Sequence, residues 1–236
     1  AQCTASRAGM RHGRSAGLHS RLPAHGPTPP MNLLLLSNSR MPDGRYLAHA
    51  LDAIGEAAAG RRRALFLPFA GTTISWDDYA ANVREALAPL GLEIAAAHRA
   101  DDPAAALAAA ELVLVGGGNT FRLLHESRRR GWLGPIRAAV RAGLPYVGWS
   151  AGSVLAGPTI RTTNDMPIVE PKSFAAMALV PFQINPHYLD PDPSSTHMGE
   201  TREERLRQFH EEHAVPVLGL REGCMLRVTG ERLELR

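Results

Sequence analysis

The chain has 236 residues, a formal net charge of +3 at neutral pH and a hydrophobic fraction of 44%. The only charges before Met31 are Arg7, Arg11, Arg14 and Arg21, so 22 basic and 23 acidic residues leave the rest of the chain near neutrality. We therefore expect no binding to nucleic acid, which needs a clustered basic surface, and no insertion into a membrane, which needs an apolar run of roughly 20 residues.

Residues 1–30 differ from the rest of the chain in composition. They are rich in arginine, histidine, serine, glycine and proline, contain no acidic residue, and show no helical or strand periodicity. A stretch of this kind buries too little apolar surface to fold, so we expect a disordered N-terminal extension (1–30) before a single α/β domain (31–236). Because the extension also lacks the apolar core of a secretory signal, we expect a cytoplasmic location.

Between residues 31 and 150, short apolar runs alternate with longer amphipathic stretches. The apolar runs predict strands at 33–36, 64–68, 92–96, 112–115 and 145–149. Apolar side chains spaced three and four residues apart predict helices at 46–58, 77–87, 104–109, 121–130 and 135–142. Strands that alternate with helices predict a mainly parallel sheet flanked by helices, in which ligands bind at the carboxyl ends of the strands.

The part of the chain after residue 150 differs in composition, because it contains long polar stretches rich in proline. Here the sequence predicts a strand at 182–184, a helix at 202–213, a strand at 215–220, and a hairpin of strands 225–228 and 233–235. No internal repeat and no linker divides the chain after residue 31. We therefore expect these elements to complete the same domain.

The strand predicted at 145–149 runs into Gly148-Trp149-Ser150-Ala151-Gly152, which fits the pattern G-x-S-x-G. This pattern is typical of a nucleophile elbow, in which glycines leave room for a tight turn between a strand and a helix. The serine then stands at the N-terminus of the following helix, where backbone N–H groups can stabilise an oxyanion. The sequence thus predicts Ser150 as a nucleophile.

A serine nucleophile needs a base to accept its proton and a third group to orient that base. His187 is our candidate for the base, because it follows directly on the predicted strand 182–184 at the edge of the sheet. Two carboxylates compete for the third role. Asp165 fits the order of α/β-hydrolases, where the acid precedes the histidine, but only one helix and a loop separate it from Ser150. Glu222 fits better, because it follows the strand predicted at 215–220.

Six motifs succeed one another along the chain: GGGNTF at 116–121, GWSAG at 148–152, IRTTNDMPI at 160–168, INPH at 184–187, GETRE at 199–203 and GLREG at 219–223. Together they resemble peptidase E, a family of α-aspartyl dipeptidases in the serine peptidase group that also contains cyanophycinase. The resemblance implies a fold similar to class I glutamine amidotransferases, which carry a cysteine where this chain has Ser150. It also implies a triad of Ser150, His187 and Glu222, and an oxyanion hole made by the backbone N–H groups of Gly118 and Ala151.

The same resemblance implies hydrolysis of dipeptides, and of some tripeptides, that begin with aspartate, through an acyl-enzyme on Ser150 and without cofactor or metal. A substrate carboxylate needs a cationic partner, for which arginine is best suited. Arg202 is our first candidate and Arg161 the second. Asn119, Asp165 and Glu170 are unranked candidates for binding the substrate α-amine.

Two other functions stay open: a cyanophycinase-like hydrolase of β-aspartyl-arginine, and a non-catalytic binding module on an amidotransferase-like scaffold. A homodimer is one possible assembly. Two departures from the family pattern stand out. Ser153 replaces a frequent alanine, which we expect to alter packing below the elbow, and the family pattern implies a further segment after Arg236.

Overall fold

The computed structural model describes residues 30–192, 194–196 and 198–236, so the extension predicted at 1–30 lies, except for Pro30, outside the described residues. The strands are β1 (Asn32–Leu36), β2 (Arg63–Leu67), β3 (Glu93–Ala96), β4 (Leu112–Val115), β5 (Tyr146–Trp149), β6 (Gln183–Asn185), β7 (Val217–Gly219), β8 (Met225–Thr229) and β9 (Arg232–Leu235). The helices are α1 (Leu51–Ala58), α2 (Trp76–Leu87), α3 (Pro103–Ala109), α4 (Thr120–Arg129), α5 (Leu133–Arg141), α6 (Ala151–Ala156) and α7 (Arg202–Glu212). None of these described helices has the length and apolarity needed to cross a bilayer.

Seven strands form one sheet in the order β3-β2-β4-β5-β1-β8-β9. The first five strands of the chain pair in parallel, and β8 and β9 add an antiparallel edge beside β1. The prediction of a mainly parallel sheet flanked by helices is therefore confirmed. The strand before the elbow, β5, lies in the centre of the sheet between β4 and β1.

Side chains along each strand alternate between the two faces of the sheet, and helices cover both faces. In β1, Leu33 and Leu35 belong to one buried cluster, which includes side chains of α3, α4, α5 and α6. Leu34 and Leu36 belong to the other, which includes side chains of α1 and α2. Because both faces are buried, the central strands are continuous apolar runs, and this made them recognisable in the sequence.

Two predicted elements are clearly shorter in the structure, whereas the ends of the others differ from the prediction by at most two residues. The helix predicted at 46–58 begins later, because Leu47 has a left-handed backbone (φ 55°) and a short 3-10 turn at Ala48–Ala50 precedes α1. The strand predicted at 215–220 is shortened to the three residues of β7, which pairs in parallel with β6 in a separate two-stranded sheet. Its three residues are only partly buried, whereas those of β6 in the same small sheet are buried.

Parallel pairing places the carboxyl ends of the central strands at one edge of the sheet. Ser37 follows β1, Gly116 follows β4 and Ser150 follows β5, and these three strands are neighbours. The candidate site is built at this edge.

Candidate active site

The turn between β5 and α6 holds Ser150 in a strained backbone conformation. Its φ of 51° and ψ of −111° lie in a region that residues with a side chain rarely occupy. Its N–H donates to the carbonyl of Leu36 at the end of β1 (3.0 Å), and its own carbonyl accepts from the N–H groups of Ser153 and Val154. Hydrogen bonds on both sides therefore hold the turn in this shape.

Close packing explains the two glycines of the elbow. A Cβ on Gly148 would lie 2.7 Å from the carbonyl group of Gly152, and a Cβ on Gly152 would lie 2.2 Å from the carbonyl oxygen of Val115. Neither position has space for a side chain. The G-x-S-x-G pattern is thus a packing requirement of the turn at Ser150.

Ser153 lies below the elbow and is fully buried. Its hydroxyl lies 2.7 Å from the carbonyl oxygen of Leu36 and 2.9 Å from that of Gly148. The first turn of α6 is in this way hydrogen-bonded to β1 and to β5, a connection that an alanine would not make.

Ser150, His187 and Glu222 form a continuous hydrogen-bonded chain. Ser150 Oγ lies 3.0 Å from His187 Nε2, and His187 Nδ1 lies 2.9 Å from Glu222 Oε1. The side chains come from the ends of β5, β6 and β7. That of His187 is 38% exposed and that of Glu222 54%, so solvent reaches the pair. In this arrangement the imidazole can accept the serine proton while the carboxylate orients the ring.

Ser37 connects the loops of the base and the acid, and sequence reasoning missed it. Its buried hydroxyl accepts from the N–H of His187 (2.8 Å) and donates to the carbonyl of Leu220 (2.8 Å), two residues before Glu222. His187 needs such support, because its backbone is left-handed with φ 53°. The only signal in the sequence is a polar residue after the four leucines of β1, at the edge where the site lies.

The N–H groups predicted to bind an oxyanion, those of Gly118 and Ala151, both lie next to residues that contact or adjoin Ser150: Ala151 follows it directly, and Gly118 follows Gly117, where a Cβ would lie 3.1 Å from the Cβ of Ser150. Ala151 is the first residue of α6, where an N–H has no partner within the helix. Neither N–H donates a hydrogen bond to another described residue. Gly118 has φ 126°, and a Cβ there would lie 2.4 Å from the carbonyl oxygen of Ala70, so only glycine fits.

Asp165 and Asn119 bind the loop after α6 to the N-terminus of α4. Oδ2 of Asp165 accepts from the N–H (2.7 Å) and hydroxyl (2.5 Å) of Thr120 and from the hydroxyl of Thr163 (2.9 Å). Asn119 caps α4 with its side-chain oxygen and donates to the carbonyl of Met166 (2.8 Å). Asp165 therefore lies at a helix terminus and makes no hydrogen bond to His187, unlike Glu222.

The two candidate arginines differ in their surroundings. Arg202 opens α7 and is partly buried, and its guanidinium forms no hydrogen bond or ion pair with another described residue. Burial, and secondly the charge of Arg205, lower the pKa of Arg202 below its usual value. Arg161 is exposed, and its guanidinium lies 4.7 Å from the centre of the Phe174 ring. Glu170 is exposed as well.

No group of three or more histidine, cysteine, aspartate or glutamate side chains among the described residues is arranged to hold a metal ion. The chemistry of the site is that of a serine, an imidazole, a carboxylate and two amide donors, which together suit acyl transfer.

Comparison with known proteins identifies the family to which the chain belongs. The model of peptidase family S51 matches residues 33–236. Peptidase E of Streptomyces coelicolor is 59% identical over 206 residues, covering 87% of this chain and 84% of the relative. Peptidase E of Citrobacter koseri is 55% identical over 200 residues, covering 84% and 87%. A crystal structure of a Listeria monocytogenes EGD-e protein shares the fold, with a TM-score of 0.67 at 23% identity over 88% of this chain and 98% of that one. The family predicted from the six motifs is confirmed: this chain belongs to peptidase family S51.

Proposed function

We propose that this chain is a serine exopeptidase that hydrolyses dipeptides, and some tripeptides, with an N-terminal aspartate. The observation that carries the proposal is the hydrogen-bonded chain from Ser150 Oγ through His187 to Glu222. Two proteins named peptidase E are identical to this chain at more than half of the aligned positions, which supports peptidase activity. The preference for aspartate rests on the resemblance of the six motifs.

The geometry supports an acyl-enzyme mechanism. Ser150 Oγ attacks the aspartyl carbonyl carbon while His187 Nε2 takes the hydroxyl proton, and the N–H groups of Gly118 and Ala151 receive the oxyanion. The C–N bond then breaks as His187 gives the proton to the leaving amine. Water, deprotonated by His187, attacks the ester carbon. The C–O bond to Ser150 then breaks, His187 returns the proton to Ser150 Oγ, and aspartate is released. Glu222 keeps Nδ1 protonated and stabilises the imidazolium throughout.

Arg202 is our proposed partner for the substrate side-chain carboxylate. The guanidinium is partly buried and has no partner among the described residues, so an anion that binds it would stabilise its charge. Its planar donors match the two oxygens of a carboxylate. Arg161 is the second choice, because its guanidinium already stacks on Phe174. For the α-amine, Asp165 is the better supported candidate, since its Oδ1 accepts no hydrogen bond from another described residue. Both groups of the Asn119 amide already take part in hydrogen bonds.

Rates of hydrolysis of Asp-Leu, Glu-Leu and Ala-Leu test the proposed specificity. We expect turnover of Asp-Leu only, and equal rates on all three substrates would refute the preference for aspartate. A β-Asp-Arg dipeptide belongs in the same series, because its preferred hydrolysis would indicate the cyanophycinase-like activity.

Ser150→Ala should abolish turnover and labelling by a fluorophosphonate while the melting temperature stays near that of the wild type. Labelling of the wild type at Ser150 excludes a non-catalytic module.

Substitution of the arginines tests the carboxylate partner. Charge-assisted hydrogen bonds contribute roughly 1.5–3 kcal/mol, so Arg202→Gln should lower kcat/KM on Asp-Leu about 10- to 100-fold. Arg205→Gln is the matched control, because Arg205 lies on the same helix and already pairs with Glu200. If only Arg161→Gln lowers kcat/KM, Arg161 and not Arg202 binds the substrate carboxylate. Unchanged kcat/KM in Arg202→Gln would refute our choice.

A cytoplasmic location and a homodimer stay part of the proposal. Fractionation of cells of the source organism checks the first, and light scattering of the purified chain checks the second.

A further inference from the structure

We propose that Tyr79 is a positioning residue of the oxyanion hole, because it fixes the peptide group that carries the N–H of Gly118. This role rests on the proposed function, since it requires an oxyanion at Ser150. Tyr79 lies on α2, far from the six motifs in sequence, and reaches the site from the opposite face of the sheet to α6.

The phenol of Tyr79 is packed directly against the glycine turn after β4. The residue is 7% exposed, and its ring meets that of Phe66 edge to face at 5.0 Å. A Cβ on Gly116 would lie 2.6 Å from the Tyr79 hydroxyl oxygen, so this glycine makes room for the phenol. The hydroxyl lies 3.0 Å from the carbonyl oxygen of Gly117.

The direction of that hydrogen bond follows from the partners of the hydroxyl. Trp149 Nε1 lies 3.1 Å from it and can only donate, so the Tyr79 oxygen accepts there. The carbonyl of Gly117 can only accept, so it takes the single Tyr79 proton. The hydroxyl of Tyr46, at 3.2 Å, then donates to Tyr79. Burial raises the pKa of Tyr79, which keeps the proton in place at neutral pH.

The carbonyl of Gly117 and the N–H of Gly118 belong to one planar peptide group. No described peptide bond is cis, so the two point in opposite directions. When Tyr79 binds the carbonyl, it therefore also sets the direction of the N–H. The turn needs this constraint, because three consecutive glycines allow many backbone conformations. The turn also lies against the elbow, since a Cβ on Gly117 would be 3.1 Å from the Cβ of Ser150.

The hydrogen bond that the Tyr79 hydroxyl donates to the carbonyl of Gly117 polarises this peptide group, so its N–H at Gly118 becomes a stronger donor. Such a group acts on the charge that develops in the transition state and leaves ground-state binding unchanged. This distinguishes positioning of the oxyanion hole from simple packing of the core.

Tyr79→Phe and Tyr46→Phe form a matched pair of variants. Each removes one hydroxyl from the same aromatic cluster, but only that of Tyr79 contacts Gly117. For both we would measure kcat and KM on Asp-Leu, inhibition by an aspartate-derived boronic acid that forms a tetrahedral adduct on Ser150, and inhibition by the product aspartate. The rate of fluorophosphonate labelling of Ser150 provides the same comparison without a peptide substrate.

We expect Tyr79→Phe to lower kcat about tenfold, less than the roughly 10²- to 10³-fold loss when an oxyanion donor is removed outright. Affinity for the boronic acid should fall by the same factor, while KM and the affinity for aspartate change less than about twofold. Tyr46→Phe should change all four quantities less than about twofold. Unchanged kcat in Tyr79→Phe, or equal losses of boronic acid and aspartate affinity, would overturn the role.

Tyr79→Phe leaves the indole N–H of Trp149 without its acceptor and can therefore lose stability. Gly116→Ala tests the same contact from the other side, because its Cβ displaces the Tyr79 hydroxyl. It should show the same selective loss of kcat and boronic acid affinity, and a normal kcat would again overturn the role.

A wild type that is neither active on Asp-Leu nor labelled at Ser150 would refute the proposed function itself. An active wild type with a normal Tyr79→Phe refutes only the positioning.

Discussion

Replacement of Glu222 tests whether this residue, and not Asp165, orients the catalytic base. Glu222→Gln keeps the shape of the side chain but removes the charge. The new amide can present its NH₂ group to His187 Nδ1, which favours the tautomer with the proton on Nε2. That tautomer cannot accept the proton of Ser150, so the variant should bind substrate and turn it over slowly.

The structure sets the size of the expected loss. In the buried Ser-His-Asp template, the corresponding change of Asp to Asn lowers kcat roughly 10⁴-fold. The side chain of Glu222 is 54% exposed, so water can take over part of its interaction with His187. We therefore expect a smaller loss, about 10²- to 10³-fold in kcat on Asp-Leu, with little change in KM.

The exposure of Glu222 also permits a rescue assay. In Glu222→Ala, added formate can enter the space of the lost carboxylate and restore part of kcat. Asp165→Ala should show no rescue, because its carboxylate holds the N-terminus of α4 through Thr120. Asp190→Asn is the control for removal of a nearby charge, since Asp190 pairs with Arg221. Full activity of Glu222→Gln, or rescue by formate of the Asp165 variant alone, would refute the assignment.

Three further substitutions have defined outcomes. Ser37→Ala leaves the partly buried N–H of His187 without its acceptor, so we expect a loss of about 1–3 kcal/mol in unfolding free energy and a clear fall in kcat at nearly constant KM. Ser153→Ala, also a buried serine, should cost about 1 kcal/mol in a denaturant titration and leave kcat within about twofold. Asp77 has a pKa lowered from 3.8 to about 2, first by its hydrogen bond from Arg99, so it stabilises the fold above pH 3.8 and loses this effect as the pH falls towards 2. Asp77→Asn should therefore melt below the wild type at pH 7, and the difference should vanish near pH 2.

Much of the fold could be predicted because its strands are buried on both faces. Runs such as Leu33–Leu36 and Leu112–Val115 carry an apolar side chain at every position, and the helices between them are clearly amphipathic. The elbow could be predicted for a related reason. Its two glycines are imposed by contacts too short for any side chain, so they leave a fixed pattern in the sequence.

Other features depend on contacts between distant segments and leave no local pattern. The left-handed backbone at Leu47 interrupts an otherwise regular helical periodicity. Tyr79 occupies a core position of α2, and nothing in its spacing distinguishes it from a packing residue. The hydrogen bonds of Asp165 to Thr120 join residues 45 positions apart, so the sequence alone could not assign this carboxylate to α4 or to His187.

The end of β1 explains how three separate loops can form one site. The carbonyl of Leu36 binds the N–H of Ser150, while the hydroxyl of Ser37 binds the base loop at His187 and the acid loop at Leu220. β1 is suited to this, because it lies between β5, which leads into the elbow, and β8, which follows the acid loop. Two consecutive residues thus set the relative positions of nucleophile, base and acid. Since Glu222 is half exposed and His187 partly so, the accuracy of the triad depends on these hydrogen bonds to the end of β1 more than on the ion pair between the two side chains.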